Sequence, residues 1–273
     1  MPPTKIIEMS KQLTAYFGQT DQAPSLILDS TGPGLTMHLP VLEALSKMGM
    51  GSFQEIHAFS GGAMAYVCQW AKDEGFLKHS VEYYAENYDK IFRQNHHRGF
   101  WSPLKALFLM LLGKSAWSYS TMATHLHQMF KPEFMAAPVS ILPENFTFYL
   151  GRKDSGEVVT MDAKARRESN LTMEEALTAI VGMPGIYGYT PNSFYDSVYS
   201  PGYKAFYRNL LRVKRPKVIV AAIAKQGSVR GNFYVNPLGN GLLKSRMMGD
   251  IFRLLFNMPN PQYRRDISAA WAR

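Results

Sequence analysis

Ser60 lies in the run Ala58-Phe59-Ser60-Gly61-Gly62. A serine becomes a nucleophile when a base removes its proton and backbone N–H groups stabilise the oxyanion that forms. The run has the form of a G-x-S-x-G nucleophile elbow, with Ala58 in place of the first glycine. Small residues belong there, because the sharp turn brings strand and helix backbones close together, and Gly61 and Gly62 supply two of them. The chemistry such a turn serves is attack on an acyl carbonyl through an acyl-enzyme.

The base is sought among the titratable residues. The chain has seven histidines, His38, His57, His79, His96, His97, His125 and His127. All lie at or before position 127, so the order Ser…Asp…His is barred for any acid beyond His127. An early histidine could serve, with His96-His97 and His125-x-His127 as candidates that carry no supporting motif. The other candidate is an aspartate acting directly on the serine. Asp196 closes the short aromatic run Phe194-Tyr195-Asp196 and enters a turn, a place where aspartate also serves simply as a turn former.

The flanking elements follow an α/β rhythm. Ser25-Leu26-Ile27-Leu28 reads as a buried strand ending at Asp29, followed by a turn with Gly32, Pro33 and Gly34. His38 to Met48 reads as a helix with Leu39, Leu42 and Leu45 at helical spacing. Glu55 to Phe59 reads as a second strand, and Ser60 opens a second helix. Residues 72–140 read as a helical, aromatic-rich insertion. Asn145 to Leu150 and Glu157 to Met161 form a hairpin. Thr172-Met173-Glu174-Glu175 is a capping box for a helix running to Met183. Lys217 to Ala224 reads as an apolar strand and Leu242 to Phe256 as a basic amphipathic helix. No linker divides the chain, so residues 1–273 read as a single domain.

Composition narrows the class. Of 273 residues 46% are hydrophobic and 19% charged, which suits a folded domain with a sizeable core. The single cysteine, Cys68, reads as a small buried residue on a helix, and no Cys/His cluster has metal-ligand spacing. No metal or other cofactor is expected. The N-terminal residues lack the apolar stretch of a secretion signal, and the longest apolar run, Ala106 to Leu112, is too short to span a bilayer. The expectation is a cytoplasmic protein, peripheral at the membrane if it meets one.

Charge is uneven. Residues 204–273 carry 14 Lys and Arg against Asp250 and Asp266, a net +12, whereas residues 1–203 carry 16 against 19 acidic residues. Such a basic quarter attracts anionic partners: an anionic membrane or an acidic carrier protein. Nucleic acid is not expected, because no recognisable nucleic-acid module is present and the aromatics lie mainly away from the basic quarter.

Three segments, in order, resemble the patatin-like phospholipase family. Leu28-Asp29-Ser30-Thr31-Gly32-Pro33-Gly34 resembles its glycine-rich oxyanion loop. Ala58 to Gly62 resembles its elbow. Met183-Pro184-Gly185-Ile186 followed by Tyr195-Asp196 resembles the segment that carries its catalytic aspartate. Together they span residues 25 to 200. The departures are Ala58, Ser197 where the family has glycine after the aspartate, Pro33, which has no N–H, and a loop without its basic residue. They mark a divergent branch.

The resemblance implies a three-layer α/β/α fold with a central, mostly parallel sheet and a helical insertion. It implies a Ser60–Asp196 dyad, with the oxyanion held by N–H groups near Gly32 and Gly34 and by the positive end of the helix after Ser60. The implied activity is a serine lipid acyl hydrolase of the phospholipase A or lysophospholipase kind. An acyltransferase or thioesterase acting on acyl thioesters, such as an acyl carrier protein, is the alternative. A catalytically dead binding protein is the third reading.

Overall fold

A computed structural model describes residues 11–18, 23–30, 38–47, 53–79, 83, 108–109, 112, 115, 118–184, 190, 193–213, 216–221, 227–229 and 232–235. The strands are β1 (Ser25–Leu28), β2 (Ile56–Ala58), β3 (Phe146–Arg152), β4 (Val158–Met161), β5 (Phe194–Asp196), β6 (Lys217–Val220), β7 (Gly227–Val229) and β8 (Asn232–Val235). The helices are α1 (Leu39–Lys47), α2 (Gly61–Asp73), α3 (Tyr119–Met129), α4 (Pro132–Ala136), α5 (Ala163–Glu168), α6 (Met173–Ile180) and α7 (Tyr203–Arg212).

The strands form one eight-stranded sheet in the order β4-β3-β2-β1-β6-β8-β7, with β5 also paired to β3. β1 pairs with β2 and β6, β2 with β3, and β6 with β8, all in parallel. The antiparallel pairs are β3 with β4, β3 with β5, and β7 with β8. β1 is buried throughout, as a run of Ser, Leu, Ile and Leu must be at the centre of a parallel sheet.

Side-chain alternation divides the core between the two faces. Leu26, Leu28, Ile56 and Ala58 join Leu39, Leu45, Met64, Val67, Cys68, Ala176 and Leu177 in one cluster, which packs α1, α2 and α6 on that face. Ile27, Phe59, Tyr149, Ile219 and Ala221 form the second cluster, covered by Tyr203, Phe206, Tyr207, Leu210 and Leu211 of α7. α7 shows why it lies flat on the sheet: its apolar residues recur at i, i+3, i+4, i+7 and i+8, while Lys204, Arg208 and Arg212 fall between them.

Two local devices fix the middle of the chain. Thr172 and Glu175 make the reciprocal capping box that starts α6. Arg166 is buried, and its guanidinium donates to the carbonyls of Phe146, Met161, Leu142 and Pro143, tying α5 to the hairpin.

The first strand has the expected bounds, Ser25–Leu28, the strand expected over Asn145 to Leu150 runs from Phe146 to Arg152, and several other elements are shorter than expected. β2 stops at Ala58 because the chain turns at Phe59; α6 ends at Ile180, before Pro184; β6 ends at Val220. The hairpin is present as β3 and β4. Cys68 is buried on α2, and burial pushes its thiol up to about 12. Residues 80–107 of the insertion apart from Tyr83, the helix expected over Leu242 to Phe256 and everything beyond Val235 lie outside the described residues. Among the described residues, no helix is long and apolar enough to cross a membrane.

Candidate active site

The register of β3 explains how two residues 136 positions apart in sequence come together. Phe148 pairs with both Ala58 of β2 and Met161 of β4, so β2 and β4 occupy opposite edges of β3. Leu150 and Gly151 pair with both β4 and β5, so β5 also lies opposite β4. β2 and β5 therefore share one edge, with β2 along Phe146 to Phe148 and β5 along Leu150 to Arg152. β2 stops at Ala58. Asp196, paired with Leu150, takes up the edge two residues further on, the level that Ser60 reaches as the chain leaves the sheet.

Ser60 makes the turn from β2 into α2. Its backbone has φ 49° and ψ −127°, a left-handed conformation that costs a non-glycine residue on the order of 1–3 kcal/mol and is kept only where surrounding structure enforces it. That enforcement is visible. Phe59 N–H donates to the Leu28 carbonyl at 3.0 Å, and Gly62 N–H donates back to the Phe59 carbonyl at 2.9 Å. Phe59 is locked in the second core, stacked on Tyr149 with centroids 4.5 Å apart. A Cβ on Gly62 would lie 2.5 Å from the Leu28 carbonyl oxygen and 2.8 Å from that of Asp29, so only glycine lets α2 dock on the end of β1. Ala58, in β2, is fully buried.

Asp196 is held as firmly. Its N–H donates to the Gly182 carbonyl at 2.9 Å, and its Oδ1 accepts from Val198 N–H at 3.2 Å in the turn Ser197–Tyr199. Ser60 is 4% exposed and Asp196 is 2% exposed. Burial pushes the Asp196 carboxyl up to about 7, opposed by the neighbouring Ser60 side chain and by Val198 N–H. A serine hydroxyl beside a carboxylate poised near neutrality has the composition of a nucleophile–base pair. The Gly61 N–H heads the 13-residue helix α2 immediately after the serine, where the elbow geometry places an oxyanion donor and the helix N-terminus adds positive potential.

Five of the seven histidines fall within the described residues. His57 Nδ1 meets the Tyr149 hydroxyl at 2.7 Å and its Nε2 faces Glu55 at 3.4 Å. His127 Nε2 meets Glu174 at 2.6 Å, linking α3 to α6. His125 is buried on α3, and His79 packs on Tyr83. His38 is fully buried near the main chain of Asp29 and Val220, and burial pushes it down to about 4, so its ring is neutral near pH 7. His96 and His97 lie outside the described residues. So do Gly32 and Gly34, the expected oxyanion donors, and Gly185. Ser60, Asp196, Ala58, Gly61 and Gly62 are brought together.

Sequence reasoning missed one group beside the site. Asp29 is expected from the sequence as the end of a strand and part of the segment that resembles an oxyanion loop, with no role of its own. Its carboxylate accepts from Ser30 N–H at 2.8 Å and from the Tyr203 hydroxyl at 3.2 Å, and the Tyr207 hydroxyl approaches it as a further donor. Burial pushes Asp29 up, while these donors favour its ionised form. The available signal was the i, i+4 pair Tyr203 and Tyr207, two aromatic hydroxyls aimed from one helix face.

The chain matches no protein-family profile, and no curated protein sequence matches it significantly.

Proposed function

We propose that this protein is a patatin-like serine lipid acyl hydrolase that works through a Ser60–Asp196 dyad. The observation that carries the reading is Ser60 held at positive φ on a strand-to-helix turn, with its hydroxyl against a buried carboxyl whose pKa is raised to about 7. The order of the glycine-rich loop, the elbow and the Asp196 segment along the chain supports the lipid-acyl class by resemblance.

In this mechanism the ionised Asp196 accepts the Ser60 Oγ proton as Oγ attacks the acyl carbonyl. The tetrahedral oxyanion is met by the Gly61 N–H and by N–H groups of the loop containing Gly32 and Gly34. Collapse expels the leaving alcohol, which takes the proton from Asp196. Water then attacks the acyl-enzyme, with Asp196 again as base, and releases the fatty acid. The basic residues of 204–273 bring the site to an anionic lipid surface.

A fluorophosphonate probe tests the dyad. Wild type is expected to label, Ser60→Ala not to label, and Asp196→Asn to label far more slowly. Equal labelling of wild type and Ser60→Ala would sink the proposal. Binding to vesicles containing anionic phospholipid, lost at high salt, tests the lipid surface. Binding to an acidic carrier protein but not to such vesicles would move the substrate to an acyl thioester.

A further inference from the structure

Tyr203 follows Asp196 by seven residues, across the turn Ser197–Tyr199 and the bend at Pro201-Gly202. Its hydroxyl donates to the Asp29 carboxylate at 3.2 Å, a contact between residues 174 positions apart. Asp29 ends β1, and β1 is what the serine turn rests on. Phe59 N–H is bonded to the Leu28 carbonyl, and Gly62 packs directly against the carbonyls of Leu28 and Asp29. The nucleophile segment thus rests on Leu28 and Asp29, and Tyr203, seven residues after the base, is tied to Asp29 as well. The tyrosine ring adds a second constraint, packing edge-on against Phe59 with centroids 5.5 Å apart and an interplanar angle of 76°.

A hydroxyl beside a packed core needs a polar partner, and the one Tyr203 finds lies on a distant part of the chain. Tyr203 starts α7, and its apolar ring already belongs to the second core. Its hydroxyl reaches beyond that core to the Asp29 carboxyl just past the end of the central strand, on which the serine turn rests. The hydrogen bond ties two segments that are far apart in sequence at one fixed length. It therefore resists a shift of the 196–203 segment away from the elbow.

We propose that Tyr203 and Asp29 are a positioning pair that sets the distance between Asp196 and Ser60. The proposal rests on the dyad reading above. Neither residue exchanges a proton with substrate; the pair acts through the placement of Asp196. A misplacement of about 1 Å at a reacting group can lower a rate by up to about a hundredfold, so a partial release is expected to lower it by about tenfold.

Tyr203→Phe removes the hydroxyl and keeps the ring. Its kcat toward a short-chain ester is expected to fall about tenfold, with KM within about twofold of wild type. The Asp196 carboxyl, followed by 13C NMR titration of Asp-labelled protein, reads the same tie without any turnover. When the Ser60 donor draws away, the ionised carboxylate loses a stabilising bond, so the midpoint in Tyr203→Phe moves to higher pH. Asp29→Ala is expected to behave like Tyr203→Phe, and Asp29→Asn, which keeps an acceptor oxygen, to lose less. An Asp196 midpoint that stays put or falls in Tyr203→Phe overturns the proposal, as does an Asp29→Asn variant no better than Asp29→Ala. Failure of the dyad reading shows differently, as a wild-type protein that neither labels with fluorophosphonate nor turns over ester, while the NMR titration still decides the tie.

Discussion

Replacing Asp196 by Asn keeps the shape of the side chain and removes its ability to ionise. In the folded protein the carboxyl titrates at about 7 against an ordinary value of 3.8, because burial disfavours its charged form. Between those two pH values the folded state binds a proton that the unfolded state has released. Stability therefore falls as pH rises through this window. At about 1.4 kcal/mol per pH unit, the penalty fully developed above pH 7 is about 4 kcal/mol. Asp196→Asn does not titrate, so it escapes this loss.

The assay is denaturant unfolding of both proteins at pH 4 and pH 8. Other carboxylates contribute equally to both, so the difference between the proteins isolates Asp196. The Asn variant should gain on wild type by about 4 kcal/mol between the two pH values. In the proposed mechanism the same carboxyl governs activity with the matching sign. The base must be ionised, so kcat/KM should rise through a midpoint at about 7 and level off above it. An activity midpoint near 4, or an Asn variant that tracks wild type in stability at both pH values, would refute the claim that a buried Asp196 is the base.

Three further outcomes follow from packing. Gly62→Ala drives a Cβ to 2.5 Å from the Leu28 carbonyl, so thermal unfolding should show a loss on the order of 1–3 kcal/mol, and fluorophosphonate labelling should nearly vanish. Gly151→Ala puts a Cβ 2.7 Å from the Tyr195 ring, which lies across Gly151 in the β3–β5 pair. Because Tyr195 precedes Asp196, the expected result is a fall in kcat larger than the small change in melting temperature. Arg166→Met strands four carbonyl acceptors remote from the dyad and should cost about 3 kcal/mol in denaturant titration, with labelling intact at temperatures where the variant stays folded.

The nucleophile was legible because its constraints are local. A strand, a small residue, a serine and two glycines fit within five positions, and the backbone that results is set by close approach at Gly62. The capping box at Thr172 was legible for the same reason. Asp196 was legible only as a turn residue beside a resemblance. What makes it a candidate base is its pairing with Leu150 on the edge that β2 vacates, and sheet register is a property of strands far apart in sequence. Helix α7 and the parallel strand β8 left weaker traces, since each depends on where its partners lie.

Asp29 carries this reasoning furthest. A strand-ending aspartate before a turn looks like a turn former, and its bond to Ser30 N–H fits that role. Its second role depends on Tyr203, which the sheet brings back to the end of β1 after 174 residues. The carboxyl is half-buried at a cost in desolvation, and a turn alone does not need the second donor it finds in Tyr203. A site that needs the elbow and the Asp196 segment fastened to one fixed point does. In the mechanism proposed above, the two aspartates divide the work: Asp196 faces the serine, and Asp29 anchors the chain that carries Asp196.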